Sequence, residues 1–139
     1  MTGWDGFAKR LRQDLAQLSA GDTVLLRHGY RIVQFQQLPR LLRAEVVSNA
    51  FLPPEEQLDQ AQQALLTADG WHAPAGRNDP NWSFDLPWPA TSAQYDELTA
   101  RLVTALRDVI GAAAPADLTV EAWNDGPTEP IPLDLAICG

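Results

Sequence analysis

The sequence predicts an α+β domain in which helices cover one face of an antiparallel sheet, in the order α-β-β-β-α-β-α. Three observations carry this. Apolar residues recur at steps of three and four over residues 4–18 and again over 95–109. Between them, residues 23–48 are short β-branched or alternating runs separated by turn residues. With 139 residues, 45% hydrophobic and 20% charged, the chain suits one globular domain and is too short for two.

Trp4, Phe7, Leu11, Leu15 and Leu18 form one stripe of a first helix, with Lys9, Arg10, Arg12, Gln13 and Asp14 kept off it. Thr2 and Asp5 offer a cap and a first-turn acid, and Gly21-Asp22 ends the helix. Thr23 to Arg27 reads as a strand, His28-Gly29 as a tight turn and Tyr30 to Gln36 as the return strand. A turn at Leu38-Pro39-Arg40 leads into a third strand, Leu41 to Ser48. There Leu42, Ala44 and Val46 alternate with Arg43 and Glu45, the pattern of a sheet with one wet face. Val33 and Phe35 join them in the expected core, and Arg31 is expected across from Glu45.

Pro53-Pro54-Glu55-Glu56 resembles a helix start, with Leu58, Ala61, Leu65 and Leu66 inside and Gln57, Gln60, Gln62 and Gln63 outside. Gly70 closes that helix, and Trp71 is placed to seal its end. Trp82, Phe84, Leu86 and Trp88 share one side of a fourth strand, whose prolines suit an edge or a strand end. Thr91 and Gln94 make a capping box for the last helix, which Gly111 stops. Thr119 to Trp123 is either a short strand or a helical turn. The domain is expected over residues 1–122. The Pro- and acid-rich tail, 123–139, contains Ile131 to Ile137, either an added edge strand or a loose end.

Eighteen acids against ten bases give a net charge of −8, the wrong sign for nucleic acid or an anionic membrane. Residues 1–50 carry seven bases and four acids, whereas 51–139 carry three and fourteen. That imbalance fits two differently solvated faces, or an acidic part that meets basic partners or the basic half of another copy. The single cysteine, Cys138, excludes an internal disulfide and a multi-thiolate zinc site. No apolar run is long enough to span a membrane and the first residues lack signal-peptide character, so a cytoplasmic protein is expected.

Catalytic chemistry is weakly represented. His28 falls in a turn, and His72 follows Trp71 beside Asp69 without a metal-ligand partner at useful spacing. Capping and solvation account for Asp79, Asp85, Glu55 and Glu56. No phosphate loop or nucleophile elbow is present, and Cys138 has no local base. No enzymatic activity, cofactor or metal is therefore expected. The tryptophans carry more information. Trp88, bracketed by Pro87 and Pro89, is expected partly exposed at a strand end, able to bury against a partner peptide. Trp82 and Tyr95 are its expected neighbours if a groove runs between that strand and the last helix; the alternative is that Trp88 merely caps the core.

Several of these segments together resemble a known group. They are Trp4 to Leu18, Tyr30-Arg31-Ile32-Val33-Gln34-Phe35, Leu42 to Asn49, the helix ending in Gly70-Trp71, Asn81-Trp82, and Ala105 to Val109 closing into Gly111 and Pro115. Over residues 4–122 the chain resembles the actinobacterial peptide-binding chaperone-like domains (the TY-Chap group), similar to type III secretion chaperones and YbjN-type proteins. The resemblance implies helices on a strongly bent antiparallel sheet, often dimeric, and a non-enzymatic role in holding a peptide or partner protein. A structural or regulatory protein that uses the same surface only for homodimerisation is the competing reading.

Overall fold

The computed structural model describes residues 3–124; Thr2 and everything from Asp125 onward, including Ile131 to Ile137 and Cys138, lie outside the described residues. The first helix, α1, spans Trp4–Gln17 and buries Phe7, Leu11 and Leu15, with Trp4 edge-on against Phe7 at 5.4 Å. Three strands follow as a meander: β1 (Asp22–His28), β2 (Arg31–Gln37) and β3 (Leu41–Val46). Helix α2 (Gln60–Ala68) leads to β4 (Trp82–Pro87), and α3 (Ser92–Thr104) to β5 (Thr119–Asn124). The five strands form one antiparallel sheet in the order β4-β3-β2-β1-β5. This is the expected α+β class, with Thr119 to Trp123 resolved in favour of a strand.

Alternation sets the two faces of the sheet. Val24, Leu26, Val33, Phe35, Leu42, Ala44, Val46 and Leu86 point into the same core as Phe7, Leu11, Leu98, Leu102 and Leu106 of the helices. Arg12 of α1 reaches Asp96 of α3 at 3.0 Å, so the two helices lie side by side over that face. Because β4 and β5 occupy opposite edges, the chain must cross the whole sheet between them. Five strands span about 19 Å, and the 13 residues of α3 reach about 20 Å.

The first hairpin turns at Gly29-Tyr30, one residue later than expected, and Arg31 begins β2 opposite His28. Gln34, not Arg31, faces Glu45. The parity of Val33 and Phe35 explains the correction. With both pointing inward, Arg31 also lies on the core side, at its margin. Its guanidinium donates to three backbone carbonyls: Glu56 (2.9 Å), Gln57 (3.1 Å) and Val109 (2.9 Å). The Val109 oxygen also accepts from the Gln62 side chain at 3.2 Å. Val109 closes the π-helical turn Ala105–Val109 that extends α3, where carbonyls lack helical donors and the macrodipole is negative. Gly111, at φ +85°, turns the chain away there, with the Arg31 guanidinium 3.8 Å from where a Cβ would sit.

The second helix is also corrected. Pro54–Glu56 makes only a 3₁₀ turn, and α2 starts at Gln60 behind a capping box of Asp59 and Gln62. Starting there turns a different side inward. Leu58 and Leu66 are buried, whereas Ala61 and Leu65 are exposed. Gln62 and Gln63 face inward because their amides satisfy carbonyls of Val109, Leu58 and Asp59. Asn49 pins the same loop, accepting from Leu58 N–H at 2.7 Å and donating to its carbonyl at 3.1 Å.

Two substitutions test this account. Phe35→Ala should lower stability by about 3–5 kcal/mol, since its ring is fully enclosed; an unchanged urea midpoint would contradict it. Arg31→Lys keeps the charge but cannot fork to three carbonyls, and should cost about 2 kcal/mol by the same measurement.

Candidate partner-binding site

Trp88 lies where the sheet ends. Pro87 is the last residue of β4, opposite Leu41, and the Trp88 N–H donates to the Arg40 carbonyl at 3.0 Å. That bond closes the chain onto the β2–β3 turn and leaves the indole 41% exposed. Leu38 N–H bonds the Leu41 carbonyl across that turn at 2.8 Å, and the Gln37 side chain donates to the carbonyls of Leu38 and Leu41. The platform under Trp88 is thus fixed by backbone hydrogen bonds and by proline on both sides.

Trp82 and Tyr95 do not share that exposure. Trp82 is buried at the far end of β4, roughly 20 Å along the strand from Trp88, where it faces Val46. Tyr95 is buried near the start of α3, its ring 5.7 Å from the Arg12 guanidinium. Both belong to the core rather than to a groove rim. Trp71 is buried as well and seals the end of α2: Gly70 turns at φ +92° and the Trp71 N–H returns to the Leu66 carbonyl.

Behind β4, Phe84 is held between the edge of Trp71 at 6.3 Å and the Arg101 guanidinium at 4.1 Å. Arg101 also donates to the Asp69 carbonyl at 2.6 Å. Burial pushes the Asp69 carboxyl above the usual aspartate range, with the nearby Arg101 charge opposing. His72 pairs by its backbone with Ser83, and His28 lies 3.4 Å from the Asp117 carbonyl. The two histidines are therefore on different elements, and no group of three His, Cys, Asp or Glu among the described residues is placed to hold a metal.

Besides Trp88, the exposed aromatics among the described residues are Tyr30 (63%), Phe51 (58%) and Trp123 (43%), none of which the sequence reading singled out as a surface residue. Trp123 lies on the sheet face opposite the helices, beside Thr23. Phe51 sits in a 3₁₀ turn after β3. The available signal was the run Ala50-Phe51-Leu52 ahead of two prolines, of which only Leu52 is drawn inside.

The family model described as T3SS (YopN, CesT) and YbjN peptide-binding chaperone 3 matches residues 1–124. The chain belongs to the TY-Chap3 family. Membership in TY-Chap3 implies a peptide-binding chaperone function and points to a non-enzymatic role. Searches among curated proteins and among solved structures found no match. Among the described residues no helix is long and apolar enough to cross a membrane.

Asp69 yields a pH test. A carboxyl whose folded pKa is raised holds its proton more tightly in the native state, so stability rises as pH falls through that pKa. Asp69→Asn removes a charge that is unfavourable at the end of α2, and should stabilise by a few tenths of a kcal/mol at pH 7. The gap from wild type should close towards about pH 3.5, read from urea midpoints at both pH values.

Proposed function

We propose that this protein is a non-enzymatic, chaperone-like binding module of the cytoplasm that holds a peptide or protein segment against the corner bearing Trp88. Family membership supplies the class of function; the exposure of Trp88 on a fixed backbone supports the place. A large indole already held by its main chain loses little freedom when covered, which is the property of residues that dominate binding energy. Trp82 and Tyr95 would then act from beneath, by keeping β4 and α3 rigid, and not by contact. The ligand expected at such a corner is extended and largely apolar, because Pro87 and Pro89 bracket the indole, and the exposed Arg40, whose carbonyl accepts from the Trp88 N–H, is a charged neighbour there.

Peptides selected on the intact protein from a random 12-residue display library serve as the probe. Trp88→Ala should weaken their binding tenfold or more, about 1.4 kcal/mol, while the urea midpoint changes little. Undiminished affinity would overturn the assignment. If no peptide is selected and Trp88→Ala instead dissociates a dimer in sedimentation, the surface serves homodimerisation alone.

A further inference from the structure

The Trp88 corner carries a charge that no described residue answers. The β3–β4 register pairs Leu41 with Pro87, and one step further Arg40 lies opposite Trp88, its carbonyl accepting from the Trp88 N–H at 3.0 Å. The two main chains are therefore about 5 Å apart, the spacing of neighbouring strands. Arg40 is exposed, and its side chain makes no ion pair or hydrogen bond with any described residue. Arg43, the other arginine beside β4, is held by Asp85 through two bonds of 2.8 and 3.0 Å, which occupies the one acid of that strand. The Gln37 amide fixes the turn that bears Arg40 by donating to the carbonyls of Leu38 and Leu41. What stays free is a guanidinium on a held main chain, next to a held indole.

We propose that Arg40 selects the ligand of this corner: an extended peptide segment with an apolar residue over Trp88 and an Asp or Glu within two residues of it. This selectivity rests on Trp88 being the place of binding, and adds the chemistry of what binds there. A segment that covers the indole also takes water from the neighbouring guanidinium, and an arginine stripped of water without a partner is costly. A side-chain carboxylate removes that cost, because it accepts two parallel N–H bonds from the planar fork. A lysine or arginine at the same place adds repulsion, so discrimination comes from both sides. In an extended segment, residues two apart share a side at a distance of about 7 Å. An arginine rooted one strand spacing from Trp88 covers that span. The chain as a whole opposes the choice. With a net charge of −8 the protein repels acidic peptides at long range, so a preference for acids needs a local cation.

A random 12-residue display library, selected in parallel on the wild-type protein and on Arg40→Glu, reads the preference directly. Wild-type binders should carry Asp or Glu beside their apolar anchor about threefold more often than Lys or Arg, and Arg40→Glu should reverse the ratio. One wild-type binder, made with blocked ends, and the same peptide with its acid changed to the amide complete a double-mutant cycle with Arg40→Gln. The amide peptide should bind wild type about fivefold more weakly, and the two peptides should bind Arg40→Gln alike. Trp88→Ala should weaken both. If Trp88→Ala weakens binding while the Arg40 variants keep the wild-type preference, the corner stands and the role of Arg40 is overturned. If Trp88→Ala leaves affinity unchanged, or wild type selects no peptide, the corner itself is overturned. Urea midpoints of the Arg40 variants should match wild type, since no described side-chain contact is lost; a lowered midpoint would make Arg40 structural instead.

Discussion

The Arg31 guanidinium is the point on which the sheet, the 54–57 turn and the end of α3 converge. It starts the central strand β2, and its three donors fasten that strand to the 54–57 turn and to the end of α3. Each carbonyl it serves would otherwise face a protein margin with no helical or strand donor. A lysine offers a point charge there, whereas the planar fork can meet carbonyls from two directions at once. Gln62 shares the Val109 oxygen, so the placement of α2 depends on the same site. That oxygen closes the π-helical turn after α3, and Gly111 lets the chain leave there because its φ of +85° is one that residues with a Cβ rarely adopt.

This dependence also explains what could be read from the residues. The α1 stripe and the alternation in β3 were legible because each repeats a period with one face apolar throughout. The parity of β2 was not legible at its start, because Ile32 and Val33 are both apolar and either can be the inward one. Choosing Val33 moves Arg31 from the wet face to the core margin, a change that only the packed sheet reveals. The start of α2 was misread for a related reason: Pro54 suits a first helical turn, but the reciprocal bonds of Asp59 and Gln62 fix the start six residues later.

For the candidate site, sequence placed Trp88 by local chemistry, since prolines on either side constrain a strand end wherever the strand lies. The burial of Trp82 and Tyr95 depends instead on tertiary neighbours, Val46 across the ladder and Arg12 from α1. Membership in TY-Chap3 implies peptide binding for the chain as a whole and assigns it to no particular surface.

The two edges of the sheet are unequal. On β4, Ser83 spends its outward N–H and carbonyl on His72, and Pro87 has no N–H to offer, so only Asp85 retains a complete outward peptide group. On β5 no described residue from Thr119 to Asn124 is proline. A filament built edge to edge needs a competent strand on both sides of every subunit, and β4 does not supply its side. Growth through strand edges therefore stops at β4, whatever meets β5.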